Sequence, residues 1–167
     1  MTAISNPVPD RQLAPADHLR RLLRRQAATV AVITTAGDDR AVGFTATSFT
    51  SVSLHPPLVS FCIYRGSSSW PAVEAAEYVA VHLLGTDQAE VAQIFAAGGI
   101  DRFAQTAWRS GPYGMPLLDS ALAWMVCRVT ERIAAGNHAI VLAEPVAGDY
   151  AAGSPLIYHN GQYGGLL

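Results

Sequence analysis

The chain has 167 residues, half of them hydrophobic, and a net charge of −2, so it can bury one sizeable core and offers no broad basic face to nucleic acid or membrane. Its basic residues are all arginine and its only cysteines are Cys62 and Cys127, in no C-x-x-C pattern, which argues against a stapled secreted scaffold or a cysteine zinc site. No apolar run approaches the roughly 18 residues that span a bilayer, and the opening MTAISNPVPDRQLAP lacks the basic and apolar parts of a signal peptide. A cytoplasmic protein with small-molecule or protein partners is expected.

Residues 1–14, punctuated by Pro7 and Pro9, read as a flexible or partner-draped arm, and residues 15–167 as one domain. A helical pattern starts at Asp17, with Leu19, Leu22 and Leu23 on one side and Arg20, Arg21, Arg24 and Arg25 on the other. That arginine cluster reads as a solvated face, with phosphate binding as the alternative. Thr29–Thr35 is β-branched and ends at a Gly37-Asp38-Asp39 turn, so a hairpin with Ala41–Thr45 follows. Phe49–Leu54 and Leu58–Tyr64 are strands parted by Pro56-Pro57. Pro71 opens a short helix through Glu77, Tyr78–Leu84 is a strand, and a second helix starts near Asp87. Residues 97–119 read as a long irregular stretch. Leu122–Ile133 and Ala139–Val146 are long strands joined by Ala134–Asn137, and Leu156–His159 is a short last one. Many strands with few helices predict a closed β-barrel with peripheral helices.

The chain has no G-x-G-x-x-G after a strand, no P-loop, no H-E-x-x-H and no G-x-S-x-G, which removes support for four large enzyme classes. Its five histidines lie far apart, none at ligand spacing from Asp, Glu or Cys. Small hydroxyl residues crowd Gly43–Cys62, GFTATSFTSVSLHPPLVSFC. One reading is a Thr/Ser-rich edge strand with a turn. The other is that amides and hydroxyls at Thr45, Ala46, Thr47, Ser48, Val52 and Ser53 face a planar polar ligand such as a flavin, whose pyrimidine edge needs donors. Arg65-Gly66-Ser67-Ser68-Ser69-Trp70-Pro71 then sets three hydroxyls before a helix, able either to hold a phosphate or simply to cap the helix through Ser69.

Gly43–Cys62 resembles the signature of the flavin reductases that serve as small components of two-component monooxygenases. The similarity continues through Ser67-x-Ser69-Trp70, Tyr78–Leu84, Asp101-Arg102-Phe103 with Trp108, Gly114–Leu118 with Leu122 and Cys127, Gly136-Asn137-His138 and Pro155–Tyr163. It covers about residues 16–165 as seven ordered elements. The family implies a mainly β split barrel, a homodimer whose interface helps form the flavin sites, and NADH docking over the flavin face.

Carried over position by position, Thr45, Ala46, Thr47, Ser48, Val52, Ser53, Ser67 and Ser69 contact FAD or FMN, joined by His82 and Phe103, while His138 and Tyr163 lie near the nicotinamide. The chain departs from the family pattern at Thr47 and His82, both usually Asn, and at Asn137, usually Asp; this bears on the flavin contacts and on the choice between FAD and FMN. His138 is the expected catalytic position, orienting the nicotinamide or holding a proton near reduced flavin, against the alternative of a solvated turn histidine. His18, His55 and His159 read only as solvated.

The resemblance implies an NADH-dependent flavin reductase that supplies reduced flavin to a partner monooxygenase. The alternative is a split barrel that binds flavin or haem without catalysis. Oxidation of a pyridoxamine-type substrate is disfavoured, because no basic residues suit a second phosphate.

Overall fold

The computed structural model describes residues 16–166, and the arm expected over 1–14 lies outside them. The first helix, α1, runs Ala16–Leu23 as the leucine spacing predicts, but it buries none of its residues: Leu19, Leu22 and Leu23 are each about half exposed. The run expected as one strand divides into β1 (Ala28–Thr29) and β2 (Ala31–Ala36). Val30 causes the division, accepting from the Leu84 N–H and donating to the Leu156 carbonyl, both at 3.1 Å. The predicted hairpin forms with β3 (Ala41–Ala46), and β4 (Thr50–Leu54) and β5 (Pro57–Tyr64) flank the diproline turn. Helix α2 (Trp70–Ala75) leads to β6 (Tyr78–Leu83), and a 3-10 turn at Thr86–Gln88 leads into α3 (Ala89–Ala96).

Two elements correct the sequence reading. The stretch 97–119 contains a small hairpin, β7 (Trp108–Ser110) with β8 (Pro116–Leu118), whose second strand is fully buried. After the long strands β9 (Ala123–Ala135) and β10 (His138–Tyr150) and the short β11 (Ile157–His159), there is a further strand, β12 (Gln162–Gly164). The four-residue joint expected between β9 and β10 is only Gly136-Asn137, because Ala134 and Ala135 pair with Ala139 and His138. Gly136 sits at φ +61°, a conformation that costs glycine little.

The main sheet has the order β3-β2-β6-β9-β10-β5-β4, antiparallel throughout, and β1-β11-β12 forms a small second sheet. Strand alternation along β2 feeds two cores. Ala31 and Ile33 point to an interior with Phe61, Val81 and Val141, while Val30 and Val32 pack outside with Leu84, Phe95 and Leu156 beneath α3. Burying each large apolar side chain contributes about 1.5–3 kcal/mol before the entropy cost of ordering it.

The fold is mainly β, a split barrel, and the expected closure is corrected in one respect: no ladder joins β3 to β4. Pairing of β4 with β5 stops at Thr50 opposite Ser60, leaving the rest of that edge of β5 bare. Ser48 takes the next ladder position with its side chain. Its Oγ accepts from the Cys62 N–H at 2.9 Å and donates to the Cys62 carbonyl at 3.4 Å. Behind this stitch the Phe44 and Phe61 rings meet, centroids 6.0 Å apart.

Candidate functional site

The open seam of the sheet forms one wall of a cleft of about 450 Å³. Thr45, Ala46, Thr47 and Ser48 leave β3 along it, Cys62–Tyr64 of β5 and Ser67–Ser69 lie opposite, Phe95 and Ala96 of α3 close one end with Arg102, and His138 stands at the rim. Seven of the expected site residues thus come together: Thr45, Ala46, Thr47, Ser48, Ser67, Ser69 and His138. Their side chains divide by task. The Thr45 hydroxyl donates to the Ala92 carbonyl at 2.7 Å and ties β3 to α3, Ala46 points into the core, and Ser48 stitches the seam. Thr47 is exposed and its hydroxyl makes no hydrogen bond among the described residues. Because β3 is an edge strand and residues two apart share an edge, Thr45 presents its amide and carbonyl on the same outer edge as Gly43. Backbone donors and acceptors for a planar polar ligand are therefore available where the side chains are not.

The serine loop before α2 separates structural from available groups more sharply. Ser69 occupies the N-cap position of α2 but does not cap it. Its buried hydroxyl lies 3.4 Å from the Gly43 carbonyl and accepts from Arg102 Nη1 at 3.3 Å. Ser67 is the opposite case: its Oγ is buried and has no partner among the described residues. A buried hydroxyl without a partner carries a desolvation cost of about 1–3 kcal/mol, which a ligand acceptor would remove. Thr106 Oγ1 is also unpartnered among the described residues, but Thr106 does not line the cleft.

Arg102, which stands in the quoted Asp101-Arg102-Phe103 element but was not among the expected contacts, also lines the cleft. Its Nε and Nη2 donate to the Ala97 carbonyl at 2.9 and 2.5 Å, and its Nη1 donates to the Gly43 carbonyl. The ion pairs among the described residues are Arg20–Asp17, Arg109–Asp119 and Arg128–Glu144, so no carboxylate balances Arg102. Burial lowers its pKa, yet a guanidinium stays charged. A cation without a counter-charge among the described residues and an unpartnered hydroxyl thus line one cleft, a combination that suits an anionic group such as phosphate.

The remaining expected contacts lie elsewhere. Val52 and Ser53 sit on β4 outside the cleft of the single chain, where Ser53 Oγ accepts from the His55 N–H at 3.2 Å. Phe103 meets Phe95 and Trp108 edge-on, at centroid distances of 5.2 and 5.5 Å, and lines a neighbouring cavity rather than the cleft. Tyr163 on β12 packs beside Tyr158, and burial, then Tyr158, raises its pKa.

His82 requires a correction: it is fully buried and offers no surface to a cofactor. Its Nε2 accepts from the Leu118 N–H at 3.1 Å, so the proton is on Nδ1, which donates to the Val32 carbonyl at 3.1 Å. The β7–β8 hairpin, unforeseen in the sequence, is what covers it. Burial holds the imidazole pKa down to about 4. His138, by contrast, is exposed, with Nδ1 2.7 Å from Asn137 Oδ1 and its ring 5.6 Å from that of Tyr64.

The family described as flavin reductase like domain matches residues 23–167. Among curated relatives, the chain is 43% identical over 150 residues to an NADH:FMN oxidoreductase of Rhodococcus erythropolis, covering 86% of this chain and 78% of that one. It is 33% identical over 163 residues to the reductase component of a 4-nitrophenol 4-monooxygenase/4-nitrocatechol 2-monooxygenase of Rhodococcus opacus, covering 96% and 88%. Among solved structures, an NADH:FAD oxidoreductase of Streptomyces globisporus, in complex with NAD and FAD fragments, is 32% identical with a TM-score of 0.84, covering 88% of this chain and 90% of that one.

Proposed function

The chain belongs to the flavin reductase like domain family, and from that premise we propose that it is an NADH-dependent flavin reductase supplying reduced FAD or FMN to a separate monooxygenase. The observation that carries this reading is the pairing of the unpartnered Ser67 hydroxyl with the unbalanced Arg102 cation in the cleft walled by Thr45–Ser48. Those two groups hold the flavin phosphate. The outer edge of β3 and Thr47 would meet the polar edge of the ring, and Phe44 and Ala96 would supply apolar surface. Flavin, when bound, supplies the hydride-accepting ring, and the protein's task is to hold it against the nicotinamide and keep water out.

His138 at the rim orients the nicotinamide, with the Asn137 contact and the Tyr64 ring limiting its rotation. Tyr163 and Phe103 lie outside the cleft of one chain, and they reach the cofactors only from neighbouring surfaces. Val52 and Ser53 do the same from a second copy: a homodimer is supported by their position on an edge strand and by the exposure of Val52, Leu54 and Tyr150. Light scattering giving a concentration-independent mass near 17.7 kDa would remove the dimer. A cytoplasmic setting goes with the two free thiols, and no helix among the described residues is long and apolar enough to cross a membrane.

The test is NADH and NADPH oxidation by the purified protein with FAD, FMN and riboflavin in parallel. Turnover only when flavin is present, and faster with NADH, is expected. Flavin binding without any oxidation would instead favour the binding-only split barrel.

A further inference from the structure

A second cavity of about 400 Å³ continues from the cleft, sharing Ser68, Ser69 and Arg102 with it. Because Arg102 borders both spaces, a phosphate held there would adjoin the second cavity. The second cavity runs between the start of β3 and residues 99–103, and a second cation stands on its wall. Arg40, in the β2–β3 turn, makes no ion pair or side-chain hydrogen bond among the described residues.

The remaining lining has the chemistry of a nucleoside site. Ile100, 42% exposed, and the Phe103 ring offer apolar surface for a purine. Asp101 Oδ1 is occupied by the Phe103 and Ala104 amides at 3.2 and 3.1 Å, while Oδ2 accepts nothing among the described residues and is available to ribose hydroxyls. A mononucleotide ends at Arg102 and leaves Arg40, Ile100 and Asp101 unused. A pyrophosphate spreads its charge over two phosphorus centres, one for each arginine.

We propose that the Arg40–Phe103 cavity takes the adenosine-phosphate half of FAD and that Arg40 makes this protein select the dinucleotide flavin over FMN. The proposal rests on the flavin-reductase reading and deepens it. The relatives described above do not decide the point, since they are named for FMN in one case and FAD in another.

Equilibrium titration of the full chain with FAD and with FMN tests it, alongside Arg40→Ala, a change at an exposed turn whose Gly37 N–H to Arg40 carbonyl bond at 3.0 Å is backbone only. Wild type is expected to bind FAD at least tenfold more tightly than FMN. Arg40→Ala should remove most of that ratio by weakening FAD about tenfold while changing FMN less than twofold, and ADP should compete with FAD more strongly in wild type than in the variant. FMN bound as tightly as FAD, or a ratio untouched by Arg40→Ala, overturns the proposal and leaves the reductase reading standing. Failure to bind either flavin overturns both.

Discussion

Two groups of polar side chains, one on the strands of the main sheet and one on the loops around the cleft, are treated in opposite ways. Behind β2 and β6, Thr34 donates to the Pro116 carbonyl at 2.6 Å, Thr35 to the Tyr78 carbonyl at 2.9 Å, and both His82 nitrogens are engaged. In the cleft, among the described residues, Ser67 Oγ has no partner and Arg102 has no counter-charge. A buried polar group that is satisfied internally reports on folding, whereas one left over reports on what the protein is built to receive. Residue type alone does not separate the two, since serine, threonine, histidine and arginine occur in functional and structural roles alike.

The largest test of that contrast uses pH. His82 has its folded pKa depressed from 6.5 to about 4, so the unfolded chain takes up a proton first as pH falls. The stability it contributes is therefore complete above about 6.5 and is lost on the way down to about 4, on the order of 3 kcal/mol in all. Urea unfolding across that range should show the slope, and His82→Gln should flatten it while lowering stability at neutral pH. A wild-type midpoint independent of pH over the same interval would mean that His82 is not sealed.

Arg102→Met comes next, with flavin affinity expected to fall by about 2–3 kcal/mol, the scale of charge-assisted hydrogen bonds to phosphate. Arg102→Lys should recover part of it. Equal losses in both variants would point to lost support of the Gly43 and Ala97 carbonyls instead of lost charge.

The serine pair sharpens the comparison because the two changes should move different observables. Ser67→Ala is expected to weaken flavin binding by about 1–2 kcal/mol while leaving the apo protein as stable or more so, since it deletes an unpartnered buried hydroxyl. Ser69→Ala should instead destabilise the apo protein, having removed an internal partner of Arg102. Thermal melts beside flavin titrations read both. The smallest effect is expected at His138→Ala: stopped-flow flavin reduction slower by about fivefold, or about 1 kcal/mol, with flavin affinity unchanged. Wild-type reduction at every NADH concentration would make His138 a solvated turn residue.

The strands were legible where β-branched runs were long, as in β2, β5, β6 and β10. The β7–β8 hairpin was not, because three-residue strands set among Gly111, Pro112, Gly114 and Pro116 carry punctuation but no period. That omission propagated to His82, whose burial depends on β8. The cleft itself was readable from the hydroxyl segment and the serine loop, but the roles within it were not. Whether a serine is spent on a carbonyl or left for a ligand depends on partners such as Gly43 for Ser69, 26 positions away in the chain. Arg102 was visible only as part of the Asp101-Arg102-Phe103 element, and nothing local showed that its side chain reaches Gly43 and Ala97.

At Ser48 and Cys62 the seam is closed by a side chain in place of a backbone ladder. Elsewhere, widening the gap between neighbouring strands means unzipping a run of amide–carbonyl pairs in concert. Here, among the described residues, the hydrogen bonds across the margin are two from a single hydroxyl, with the Phe44–Phe61 contact behind them, and Thr47, Ser48 and Cys62 line the cleft itself. Widening the gap there would break two hydrogen bonds of one side chain and leave the backbone ladders of the remaining strands in register.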